Sequence, residues 1–179
     1  MVDREVDKHV LDNPQEFEYL SWEIIRRDAA CRIEILLPLY VNLPPNVMLK
    51  ALAGYTAGDF FLNRCYKDDV VIAERLLYEC VYCLDKLQGT PEEDAFMMSA
   101  LGTNALIKYG DALLQNGKYP YAILAYEAAI VSYKLRTGET FDKLTRRLCI
   151  ICVSNKDFDR ALKYHLQILM LILNCQMIF

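Results

Sequence analysis

The chain has 179 residues, 54% apolar and 25% charged, a size and composition that fit one folded domain and exclude wholesale disorder. Its formal net charge is −4, and the basic residues are scattered, densest only at Arg26-Arg27 and Arg146-Arg147, so no concentrated footprint for nucleic acid is present. The charged stretch 1–12 has no apolar core of the kind a secretory signal needs, and a cytoplasmic location is expected, with a nuclear one open.

Helix punctuation begins at Asn13-Pro14-Gln15-Glu16, a cap residue, a proline at the first helical position and a glutamate at the third. Phe17, Leu20, Ile24, Cys31 and Ile35 then recur at helical spacing, and Pro38 together with Leu43-Pro44-Pro45 is expected to stop or kink this first helix. A second helix is expected from about Pro45 to Arg64, with Leu49, Leu52 and Phe60 on it. Lys67-Asp68-Asp69 starts a third, carrying Leu76, Leu77, Cys80 and Leu84 and ending at Gly89.

Thr90-Pro91-Glu92-Glu93 repeats the start signal and opens a fourth helix through Leu101, Ala105, Tyr109 and Leu113. After the turn Asn116-Gly117-Lys118, Pro120 leads a fifth helix whose Ala122, Tyr126, Ala129 and Tyr133 form a stripe. Thr137-Gly138 closes it, and Thr140 is expected to cap a sixth helix over 141–154. Asn155-Lys156-Asp157 turns the chain into a seventh, through Ala161, Ile168 and Ile172. With no strand alternation and no Gly/Ser-rich linker, the expectation is an all-α fold of about seven helices, residues 13–179 forming a single domain behind a charged arm at 1–12.

Gly110, Tyr119, Ala122, Tyr126 and Ala129 fall in an order that resembles a tetratricopeptide repeat, in which a small residue on each of two antiparallel helices allows close contact. A second copy follows 39 residues later, with Cys149, Phe158, Ala161, His165 and Ile168 in the corresponding places. The clearest units are about 103–136 and 142–175, and a weaker pair spans about 45–88, anchored on Ala73, with Val70 and Phe61 fitting poorly. Leu106, Leu113 and Lys134 depart from the family's usual tryptophan, tyrosine and proline, and the spacing exceeds the usual roughly 34 residues. The longer spacing is similar to that of kinesin light chains and soluble NSF attachment proteins.

The resemblance implies antiparallel helix pairs stacked as a right-handed α-solenoid, with a concave groove lined by first helices. By family offset that groove would present Asn104, Ile107, Asp111, Leu114 and Gln115, then Lys143, Arg146, Ile150 and Val153. Ile107 and Asp111 occupy the positions where carboxylate-clamp members carry basic and amide residues, so the implied ligand is an extended peptide or partner helix and not an acidic chain terminus. A generic helical bundle is the competing architecture, because close helix crossings favour small residues by themselves.

Seven cysteines, an odd number, argue for reduced thiols. Cys80-Val-Tyr-Cys83 and Cys149-Ile-Ile-Cys152 could together supply four zinc-binding thiolates, but both pairs lie in apolar-periodic helix interiors, where a core role is expected. The chain carries two histidines, His9 and His165, and no nucleophile elbow, phosphate-cradling loop, HExxH or dinucleotide fingerprint. Asp68-Asp69 and Glu92-Glu93-Asp94 stand at helix starts, where carboxylates complement the dipole.

From Leu166 to Phe179 the only polar side chains are Gln167, Asn174 and Gln176. Fourteen helical residues span roughly 21 Å, short of a hydrocarbon core of roughly 30 Å. The expectation is therefore a helix that packs on further repeats or on another copy, and no membrane span. A truncated isoform or fragment of a longer array would have the same end. The sequence reading is thus a non-enzymatic protein-binding scaffold without cofactor. A zinc or thiol module on the CxxC pairs and a structural piece of a larger assembly are the alternatives.

Overall fold

A computed structural model describes residues 29–45, 48–64, 66–88 and 95–176, and every regular element among them is an α-helix. The helices are α1 (Ala29–Asn42), α2 (Met48–Arg64), α3 (Lys67–Leu87), α4 (Ala95–Gln115), α5 (Tyr119–Thr137), α6 (Asp142–Ser154) and α7 (Phe158–Gln176). The start signals at Asn13 and Thr90, and the arm at 1–12, lie outside the described residues. Contacts group the chain into two compact units, Met1–Leu101 and Gly102–Phe179.

In the first unit α1 runs through Pro38 instead of stopping there. The proline nitrogen has no proton to donate, which removes one hydrogen bond, while Leu36 and Tyr40 on either side of it are buried against Ala53, Ala57 and Leu76. Packing holds the helix together until Asn42, just before Leu43-Pro44-Pro45. Helix α2 is buried on almost every face, which requires neighbours on more than one side. One neighbour is α1: Lys50 Nζ donates to the Leu43 carbonyl at 2.8 Å and stands 5.1 Å over the Tyr40 ring, and Tyr40 also reaches Gly54.

The other is α3, whose inward stripe is Val70, Ala73, Leu77, Cys80, Leu84 and Leu87. Here Gly58 allows close approach, since a Cβ on it would lie 2.6 Å from Leu77 Cγ. The turn between the two helices is pinned by Arg64, which pairs with Asp69 at 3.1 Å and covers the rings of Phe60 and Tyr66 at 5.7 and 5.4 Å. Asp68 and Asp69 sit in the first turn of α3, where negative charge offsets the unpaired N–H groups.

In the second unit α4 and α5 are antiparallel. The hydroxyls of Thr103 and Ser132 meet at 2.9 Å near one end of the pair, and Gly110 faces Tyr126 nearer the other. The turns at 116–118 and 155–157 share one backbone pattern. Lys118 N–H reaches Leu113 O at 2.8 Å and Gly117 N–H reaches Leu114 O at 3.0 Å, while Asp157 N–H reaches Cys152 O at 2.9 Å and Lys156 N–H reaches Val153 O at 3.0 Å. This 6→1 and nested bonding closes a helix through one left-handed residue. Gly117 has φ 71° and Lys156 has φ 61°, so the second copy of the turn places a lysine where a glycine is favoured.

Gly138, with φ 73°, ends α5 by donating to Lys134 O at 2.8 Å. The expected cap Thr140 does not cap α6: the N-cap position is Phe141, and the Thr140 hydroxyl bonds the Asp142 carboxylate at 2.8 Å instead. Phe141 contributes by packing, its ring 4.5 Å from that of Tyr133. Helix α7 is capped by Asp157, whose carboxylate accepts the Arg160 N–H at 3.2 Å. No helix among the described residues is long and apolar enough to cross a membrane.

Candidate functional site

The site is built on the close contact of α4 with α5. A Cβ at Gly110 would meet three atoms of the Tyr126 ring at 2.7, 2.9 and 2.9 Å, so the glycine is a steric necessity and the ring lies flat in the space it leaves. Tyr126 is fully buried, and its hydroxyl donates to Asp111 Oδ1 at 2.5 Å. Burial pushes the Tyr126 phenol well above its ordinary range, and the hydrogen bond to Asp111 adds to the shift. Arg147 on α6 completes the cluster, pairing with the same Asp111 oxygen at 2.6 Å and lying 5.1 Å over the Tyr126 ring. Three helices are thereby joined through one carboxylate.

This arrangement changes the role of Asp111. The offset from the family places it in the groove, but its side chain is mostly covered and committed to Tyr126 and Arg147. It fixes α6 beside α4 and leaves little of itself for a ligand. The rest of the expected groove set divides by exposure. Ile107 and Leu114 are half-buried against the core, whereas Asn104 and Gln115 on α4 and Lys143 and Arg146 on α6 are exposed. Ile150 and Val153 stand 66% and 51% exposed on the same helix. Neither Lys143 nor Arg146 has an ion-pair partner among the described residues. The face of α6 is thus cationic toward its N-terminus and apolar toward its C-terminus.

The expected packing set is also divided. Ala122, Ala129 and Ala161 are buried with Tyr126, and Ile168 is half-buried. Cys149, in the place of Gly110, is half-buried with its thiol 3.5 Å from the Ala161 carbonyl, a close contact between backbone and a small side chain. Tyr119 and Phe158 are exposed: each is the first residue of its helix, outside the contact between partners. His165 is exposed as well, and the neighbouring Tyr164 turns inward in its stead. The Tyr164 hydroxyl donates to Glu127 on α5, which also lies 3.7 Å from Lys163, a long-range partner that a fixed offset cannot reveal.

Sequence reasoning missed Gly58, placing Phe61 at the corresponding point of the weaker pair. A signal was present in the small residues Gly54, Ala57 and Gly58 at helical spacing, all buried in α2. A third tyrosine, Tyr40, donates to Glu79, which Arg75 Nε approaches at 3.2 Å, so a buried tyrosine on a cation-paired carboxylate occurs in both units.

The two CxxC pairs lie in different units, Cys80 and Cys83 on α3, Cys149 and Cys152 on α6. Cys80, Cys83 and Cys152 are buried, and burial pushes all three thiols up, with the neighbouring Cys83 adding to the effect at Cys80. Such thiols remain protonated and behave as small hydrophobes. Among the described residues no group of three or more His, Cys, Asp or Glu side chains is placed to hold a metal ion. No family model matches the chain, and neither a curated protein nor a solved structure is significantly similar to it.

Proposed function

We propose that this protein is a non-enzymatic interaction scaffold, built of tetratricopeptide-like helix pairs, that holds an extended peptide or partner helix across the outer faces of α4 and α6. The observation that carries the reading is the α6 face, where exposed Ile150 and Val153 continue a line begun by Lys143 and Arg146. Exposed apolar side chains beside unpaired cations are suited to a ligand that supplies both apolar contact and charge. The strongly shifted tyrosines and cysteines all belong to packed positions, and they serve helix contacts instead of chemistry. The right-handed solenoid, the protein partner and the cytoplasmic setting belong to this same proposal.

The test is a quantitative pull-down from cell lysate with the native chain, an Arg146→Glu/Ile150→Ser variant, and a Leu169→Glu variant. All three substituted side chains are exposed, so circular dichroism should stay unchanged. Asp111 is left intact because changing it would break its bonds to Tyr126 and Arg147. A set of proteins lost from the α6 variant and kept by the α7 variant supports the scaffold; an identical set on all three chains refutes the α4–α6 surface.

A further inference from the structure

Helix α7 turns Ala161 and Tyr164 into the core and leaves a second apolar face outside. Leu162, Leu166, Leu169 and Leu173 are 58%, 50%, 42% and 58% exposed, and they follow one another at steps of four, three and four residues. That alternation is the a/d seam of paired helices, a spacing that fits another helix better than an extended peptide. Exposed Met170 and Ile172 widen the seam, and from Tyr164 to Gln176 the sequence holds no Asp, Glu, Lys or Arg. A partner bringing charge to this strip would bury it unpaired, so the partner must offer a neutral apolar helix of the same kind.

We propose that α7 pairs antiparallel with α7 of a second copy of this chain about a two-fold axis. A two-fold contact requires a patch that complements itself, and a flat leucine seam does so. With antiparallel helices, Leu166 of one copy meets Leu169 of the other, and Leu162 meets Leu173. Six large side chains about half exposed offer on the order of 600 Å² per copy, so that pairing removes about 1,000 Å² in all, the size at which specific interfaces begin. The α4–α6 face shares no residue with this seam and remains open in the pair.

The experiment is sedimentation equilibrium on the full chain over a wide concentration range. The native chain is expected at twice the monomer mass of 20.7 kDa. Leu166→Glu/Leu169→Glu should sediment as a monomer with unchanged helical dichroism, because both side chains are exposed in the single copy. Leu166→Glu/Leu169→Lys should recover the doubled mass, since antiparallel pairing puts each glutamate against a lysine of the other copy. As a control, Leu135→Glu on α5, also exposed, should remain a dimer. A monomeric native chain, a dimeric Glu/Glu variant or a Glu/Lys variant that stays monomeric would each overturn the pairing.

Discussion

Replacing Gly110 by alanine tests the contact on which the second unit is organised. In an open helix this change would stabilise by about 1 kcal/mol through helix propensity. Here the new methyl would lie 2.7–2.9 Å from the Tyr126 ring, well inside van der Waals contact. The ring cannot simply move away, because it is fully buried and its hydroxyl is held by Asp111 at 2.5 Å. Overpacking of this kind costs about 1–3 kcal/mol, and loosening a hydrogen bond to a charged group costs about 1.5–3 kcal/mol. After subtracting the propensity gain, the expected net loss is about 1.5–5 kcal/mol, measured by urea unfolding followed by circular dichroism. In a Tyr126→Phe background the same substitution should cost less, about 1 kcal/mol, because the freed ring can shift without giving up a bond. Gly110→Ala that is neutral or stabilising would refute the account of α4 against α5.

The two matching turns make opposite predictions. Gly117→Ala puts a side chain at φ 71° and should destabilise by about 1–2 kcal/mol, whereas Lys156→Gly relieves a lysine at φ 61° and should leave the protein equally stable or up to about 1 kcal/mol more so. Alkaline titration tests the buried tyrosines. Burial first and hydrogen bonding to a carboxylate second raise the phenols of Tyr40, Tyr126 and Tyr164 above the ordinary 10.0, and burial raises Tyr55 to about 12. The unfolded chain therefore ionises more easily than the folded one, so stability is complete below pH 10.0 and declines as pH rises through and beyond it. Cooperative loss of helicity together with a late rise in tyrosinate absorbance is expected; tyrosines that all titrate near 10.0 in a helical protein would contradict the packing described.

Features governed by local rules were legible in the sequence. Gly117 and Gly138 announced helix ends because left-handed backbone excludes most side chains, and the recurrence of the first turn 39 residues later is reproduced bond for bond. The Gly110–Tyr126 contact was legible because it depends on a missing side chain and an aromatic ring at regular offsets from Ala122. In the first unit α3 begins six residues before Ala73, while α5 begins three before Ala122. This difference, close to one helical turn, moves the glycine contact from Phe61 to Gly58. Long-range partners were hidden for another reason. Nothing near Asp111 in the sequence indicates Arg147, and nothing near Tyr164 indicates Glu127, so one residue placed in the groove proved to be a helix joint and a tyrosine displaced a histidine from the core. Pro38 shows tertiary packing prevailing over a local break, since the helix it interrupts is held by Leu36 and Tyr40.

The central claim is that the faces of α4 and α6 form the binding surface, and methyl-resolved NMR of the labelled chain, titrated with a peptide from a captured protein, tests it most directly. The account predicts that the methyl signals of Ile107, Leu114, Ile150 and Val153 shift in proportion to occupancy, while those of Leu162 and Leu173 on α7 stay in place. Shifts confined to the α7 leucines, with Ile150 and Val153 unmoved, would contradict it.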